Sequence, residues 1–538
     1  MILSLETVFY ACIYGDFKNV IYHQQSSYCS KPNTINMYTY LTFVLAKEMS
    51  YLNLITIVIF ALLQGCGGMD IKDVNEPSIT PQFSLHEWPY DEYWTGVEFN
   101  KSKIGYSHLR IGVDDKRPGT YLINSETSLH FHFLTTDKKV TLKSRDWVNP
   151  DLTINGFVYD YNLDGNQMKL YGVVRNNVLT VTIDSSAGRI TESHPLSSPL
   201  YPTSVINLYP SLHGLKLNAT YEYMVYDGES QLLTSLHQDI THYEASDSFK
   251  GGAYKINTSM QGQIITTWIN ANAEPLLELS MDGVFIASLE SERKAKDFLT
   301  QAALNKEDTL LDFSLVETDQ ILNMPRQTSL LELELSGAEA MQNFPTDLRQ
   351  QCSAVDNIMR CRIGGSQFPV ETQDMNMNYL SSSMAIPTQH ATIRNISNLV
   401  TLEANTDSQK VEALLGWIKT HIKPELTDVF SALDVLKQRK AECQGFSLLF
   451  ASFARAAGIP TRVVNGIVYS EQHPGFLYHT WVESQIDGQW QAIDPILGQL
   501  HADATHIKLV EGDNLADLTP LLAVIGKLSA KIVEVKSE

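Results

Sequence analysis

The sequence predicts an α+β fold, an antiparallel β-rich N-terminal region followed by a C-terminal α+β domain. Three observations carry that expectation. From about residue 90 to about residue 370, short segments alternate apolar and polar residues between turn formers, the period-two pattern of half-buried strands. From Tyr379 the apolar residues recur at helical spacing instead. After Gly458-Ile459-Pro460 the chain returns to β-branched runs, with a turn signal at Asp487-Gly488.

Taken in order, residues 1–48 are aromatic-rich, hold Cys12 and Cys29 and show no periodicity. Residues 52–63 are an apolar run interrupted only by Asn53 and Thr56, too short to span a bilayer and the right length for a signal-peptide core. The run ends in Leu63-Gln64-Gly65-Cys66, which resembles the bacterial lipoprotein cleavage site, where the cysteine is acylated. Residues 1–65 therefore read as an upstream segment and signal peptide, with Met37 or Met49 a more natural start than Met1. An uncleaved anchor and an ordinary secretory signal are the alternatives. Gly67-Gly68 offers no acidic residue of the kind tied to inner-membrane retention. The expected location is the bacterial cell envelope, lipid-anchored at Cys66 in the outer membrane and facing the periplasm.

Residues 66–89 read as a polar linker and 90–305 as a β-rich antiparallel domain. Segments 94–99 and 104–111 flank a polar turn, and a second hairpin turns at Asn176-Asn177. Further strands fall near 220–226, 262–269 and 277–289, before a charged helix at 290–303. Trp94 and Tyr106 read as core aromatics rather than a ligand groove. His130 and His132 share a strand face but lack a third ligand nearby in sequence, so they read as solvated or hydrogen-bonded. Residues 306–378 suit a small β-rich accessory domain, with the alternating segment 330–335 and the pair Cys352 and Cys361. Helices are expected at 391–399, 408–422 and 429–439, leading into a catalytic domain over 379–538.

Composition narrows the functions. A chain of 538 residues holds two or three domains, and a net charge of −21 argues against nucleic acid as a partner. No phosphate loop, zinc-type cysteine cluster or calcium-loop spacing occurs, so no cofactor and no metal are assigned. With residues before Cys66 removed, four cysteines remain. A possible Cys352–Cys361 disulfide suits an oxidising compartment and leaves Cys443 as the thiol.

Cys443 heads an apolar-periodic run, Phe446, Leu449, Phe450 and Phe453, that Gly458-Ile459-Pro460 stops. A helix N-terminus is expected to lower the thiol pKa toward the nucleophilic thiolate. His479 and Asp494 fall on two strands joined by the Asp487-Gly488 turn, which places them side by side. In a Cys-His-Asp constellation the imidazole takes the thiol proton and the carboxylate orients the ring. Each residue alone reads as structural; the three together read as a triad.

At these residues the chain resembles the transglutaminase-like superfamily, with its papain-like cysteine-enzyme core. The resemblance rests on Ala441-Glu442-Cys443, on Arg455-Ala456-Ala457-Gly458-Ile459-Pro460, on His479-Thr480-Trp481-Val482-Glu483 and on Asp494-Pro495, in the family's order. Ala441 stands where the family has glycine and Thr480 where it has alanine; neither change removes a catalytic group. The later stretch Asp503-Ala504-Thr505-His506-Ile507-Lys508-Leu509 is similar to a segment of bacterial members. The resemblance implies a Cys443, His479, Asp494 triad that acts on amide bonds of a protein or peptide substrate through a thioester, by transfer or by hydrolysis. Gln438 and Gln444 are candidate oxyanion donors beside the Cys443 backbone N–H. The alternative is an envelope scaffold that uses the same core only to recognise a partner.

Overall fold

The computed structural model describes residues 71–133, 136–298, 308–339, 341, 344–364, 377–513 and 515–537. The signal-peptide segment and Cys66 lie outside them, as does the end of the expected 290–303 helix. Within them the protein is mixed α+β.

The N-terminal part folds into a 16-stranded sheet, antiparallel except where Leu200–Pro202 runs parallel to Thr220–Asp227. Its hairpins follow from turn chemistry. Asn176 and Asn177 both take positive φ (50° and 58°), as a two-residue loop matched to strand twist requires, and asparagine tolerates that region. The expected strand at 277–289 is two strands, Pro275–Ser280 and Phe285–Glu290, because Met281 and Asp282 turn left-handed between them. The following helix spans Glu292–Lys296 and is capped by Ser291.

A five-stranded sheet follows, ordered Glu317–Thr318, Ser529–Ser537, Thr328–Ser336, Ile358–Gly364, Gln350–Val355. Cys352 and Cys361 face each other across its last pair and are disulfide-bonded. The chain's last strand thus inserts beside Thr328–Ser336, a pairing across some 200 residues that no local pattern announces.

The C-terminal core packs four helices on a small sheet. The helices are α1 (Ala391–Val400), α2 (Asp407–His421), α3 (Ala432–Gln438) and α4 (Cys443–Ala456). The strands are β1 (Thr461–Ser470), β2 (Gly475–Ile486), β3 (Gln489–Ile493) and β4 (Ile507–Glu511), antiparallel in the order β3-β2-β1-β4. Helix α4 is mostly apolar and buried over most of its length, between α1, α2 and α3 on one side and β1 and β2 on the other. Helix α3 starts three residues later than expected because Ser431 and Asp434 form a capping box there. Among the described residues, no helix is long and apolar enough to cross a membrane.

Three docking contacts lock the layers together. Lys138, on the strand Thr136–Val148 of the large sheet, is buried between Asp164 (3.0 Å) and Asp428 of the α2–α3 loop (2.9 Å). Asn166 donates to the Asp428 carbonyl and accepts from Gln438 of α3. From the five-stranded side, Gln350 brackets the Lys508 backbone of β4, accepting from its N–H and donating to its carbonyl, each at 2.8 Å.

Candidate active site

The site forms where the head of α4 meets β2. Glu442 is the N-cap: its carboxylate accepts from the backbone N–H of Gln444 (2.6 Å) and of Gly445 (3.0 Å). Gly445 is needed for this fit, since a Cβ there would lie 2.5 Å from the Ala441 Cβ. Ser447, in the first turns of α4, donates to the Thr480 carbonyl at 3.1 Å, tying the helix to the residue after His479.

On the sheet, the Asp487-Gly488 turn sets the register, with both residues at positive φ (52° and 80°). Val482 then pairs with Ile493, so Asp494 is the first residue past β3. His479 Nε2 donates to Asp494 Oδ2 at 2.8 Å, and both side chains are fully buried. That bond fixes the proton on Nε2 and leaves Nδ1 as the basic nitrogen of the neutral ring. Asp494 Oδ1 accepts the backbone N–H groups of Ile496 (3.0 Å) and Leu497 (2.9 Å), so the carboxylate is held at both oxygens. Opposite His479 stands Gly466, where a Cβ would meet the Ile507 carbonyl at 2.0 Å; glycine lets β4 close on β1 at that point.

Charge in the site departs from the sequence expectation. Burial pushes the Cys443 thiol well above its ordinary pKa and the Glu442 charge adds to it, while a backbone hydrogen bond from Thr480 works the other way. The helix N-terminus does not win because burial outweighs it, and because Glu442 places a carboxylate on its amides. Glu442 itself is pushed up to about 7, by burial first and by Asp428 second. Burial and the neighbouring His506 hold His479 below its usual value, against the pull of Asp494. The Asp494 carboxyl is held far below the usual range, the two imidazoles outweighing burial.

Other predicted residues fall elsewhere. Gln438, on α3, donates to Asn166 of the large sheet. Gln444 is the second residue of α4, half-buried. Trp94 stacks on His108 at 3.9 Å with Lys296 over its ring at 4.4 Å, and Tyr106 bonds Glu126; these are packing roles. His132 pairs with Asp137 at 3.0 Å, and among the described residues neither it nor His130 joins a set of donors at metal spacing.

Such spacing does occur at His479, Asp494 and His506, whose donor atoms lie within 4.8 Å of one another. Both imidazoles point Nε2 at the same Asp494 oxygen, at the hydrogen-bond distances of 2.8 and 3.0 Å. The sequence shows the Asp503–Leu509 stretch and Glu442 of the Ala441-Glu442-Cys443 run but assigns no role to Asp503, His506 or Glu442, and nothing in it singles out Lys138. Glu442 was legible in principle, as an acidic residue just before a helix.

Residues 394–495 match the family model of the transglutaminase-like superfamily. This segment is a transglutaminase-like core. Its relatives include the kyphoscoliosis peptidases of Homo sapiens, 29% identical over 111 residues, and of Mus musculus, 28% identical over 121 residues. These alignments cover 18% and 20% of this chain, and the chain spans only 16% and 18% of those proteins. A solved cysteine-protease candidate from Cytophaga hutchinsonii is 16% identical with a TM-score of 0.24, covering 40% of this chain and 86% of that one. A β-barrel-like protein of Brucella abortus is 9% identical with a TM-score of 0.29, covering 37% and 95%. At those scores neither likeness bears on fold or function. The transglutaminase-like core supports a papain-like enzyme in general terms.

Proposed function

We propose that the transglutaminase-like core works as a cysteine enzyme on amide bonds, with Cys443 as nucleophile, His479 as general base and acid, and Asp494 as its orienting carboxylate. The observation that carries this is the fully buried His479–Asp494 hydrogen bond beside a helix headed by Cys443, within the matched segment. In the proposed reaction His479 Nδ1 takes the thiol proton and the sulfur bonds to the carbonyl carbon. The C–N bond then breaks, and the amine leaves with the proton from His479. Water or a second amine attacks the thioester carbon and its proton passes to His479; the C–S bond then breaks, and the sulfur takes that proton to regenerate the thiol. The peptidase name of the two curated relatives favours water, and hence hydrolysis of a peptide or glutamine amide.

We place the protein in the cell envelope, anchored by an acylated Cys66, as the Leu63-Gln64-Gly65-Cys66 pattern and a disulfide-compatible compartment suggest. Mutating Cys66→Ala and following release into the soluble fraction tests the anchor.

One feature favours the scaffold reading: Cys443, His479 and Asp494 are all buried, and the thiol is held protonated. Alkylation by iodoacetamide, followed by intact mass over a pH series, separates the two. Labelling of Cys443 that slows at least tenfold in His479→Ala supports the enzyme; labelling indifferent to His479 turns the choice to a partner-recognition core.

A further inference from the structure

The residue that sequence reading left without a role, His506, occupies the far side of the same carboxylate. Its Nε2 donates to Asp494 Oδ2 at 3.0 Å, the oxygen that His479 also holds. Its Nδ1 donates to the Asp503 carbonyl at 3.1 Å and lies 3.4 Å from Asp503 Oδ1. Both ring nitrogens face oxygen acceptors, and only the doubly protonated ring satisfies both. The ring is fully buried, with Trp481 edge-on at 5.3 Å.

Its surroundings are built to keep it there. Asp503 is held by Arg326 (3.1 Å), by Gln499 (2.8 Å) and by the Thr505 N–H (2.9 Å). Arg349 donates to the His506 carbonyl at 3.0 Å and to that of Asp503. Arg326 and Arg349 come from the accessory region, outside the matched segment. The titratable and charged groups facing His506 are thus Asp494 and His479 from the β2–β3 side, Asp503 backed by Arg326, and Arg349 on its backbone carbonyl.

We propose that His506 is a positioning residue for the Cys443–His479–Asp494 constellation: an imidazolium clamped between Asp494 and Asp503 that fixes the shared carboxylate and offsets part of its charge. This rests on the function proposed above. The consequence is a neutral His479 at rest. Asp494 alone would draw a proton onto His479, and the cation on its other side, with ring centroids 5.9 Å apart, opposes that. The upward shift of His506 by Asp503 and Asp494, against burial, agrees.

The test is an NMR titration of the full chain carrying ¹³Cε1-labelled histidine, with signals assigned by their loss in His479→Gln and His506→Gln. In the wild type His506 should keep its imidazolium shift from about pH 5 to about pH 8, while His479 titrates below about 6.5. In His506→Gln the His479 titration should move up by about one pH unit or more. A structural filler would leave it in place. If His506→Gln does not fold, Asp503→Asn replaces it, with His506 expected to lose its proton within the window. An ordinary titration of His506 in the wild type, or an unmoved His479 in the variant, overturns the proposal. Both readouts are independent of Cys443 alkylation, so failure of the enzyme reading would show separately.

Discussion

Glu442 is where the electrostatics of the site can be put to a quantitative test. Its carboxyl is buried at the head of α4 and moves from an ordinary 4.5 to about 7 on folding, by burial first and then by repulsion from Asp428. A carboxyl raised in the folded state binds its proton more tightly there than when unfolded. Its contribution is fully present below about pH 4.5 and is lost as pH rises through about 7. The full swing corresponds to about 3 kcal/mol, at about 1.4 kcal/mol per pH unit. Replacing Glu442→Gln keeps an oxygen for the Gln444 or Gly445 amide and removes the titration. Pulse-labelling hydrogen exchange of the α4 peptide across a urea series, at about pH 5 and about pH 8, localises the measurement to this element. The wild-type helix should lose about 3 kcal/mol more than the variant between those conditions, the difference including the mutual repulsion of Glu442 and Asp428. Because the Glu442 charge also raises the Cys443 thiol, the variant should alkylate faster at the higher pH. Equal pH dependence in the two proteins would falsify this account of the site.

Other substitutions probe the remaining contacts. Asp494→Asn puts an amide where two imidazoles donate to one oxygen. The His479-dependent part of Cys443 alkylation should fall by about a hundredfold, and an unchanged rate would count against the triad. Lys138→Met leaves the buried Asp428 and the half-buried Asp164 without their shared cation. It should cost about 3–5 kcal/mol by thermal unfolding, with partial recovery on adding Asp428→Asn; no recovery would mean that packing, not charge, was lost. Gly466→Ala drives a Cβ to 2.0 Å from the Ile507 carbonyl, so exchange protection of β4 should drop with a loss of about 2 kcal/mol or more. Retained protection would show that the strand pair can shift apart cheaply.

The local devices of the fold are written in the sequence. The α4 pattern ends at Gly458-Ile459-Pro460, the Asp487-Gly488 turn sets the β2–β3 register, and the Asn176-Asn177 hairpin follows from asparagine's tolerance of positive φ. Those short-range rules are enough to bring His479 and Asp494 together. The state of the cysteine was not readable that way. A helix N-terminus predicts a depressed thiol, but burial and a neighbouring carboxylate are three-dimensional quantities, and here they outweigh it. The same holds for His506, which lies 12 residues from Asp494 and reaches it through a bridge between Asp494 and Gln499. Its second partner, Asp503, is braced by Arg326 from a region 177 residues away. Sequence determined which elements form and which side chains they set next to one another, because periodicity and turn preference are local. Tertiary structure alone decided which carboxylates and imidazoles share a proton, because protonation depends on burial and on charges that meet only when distant segments pack.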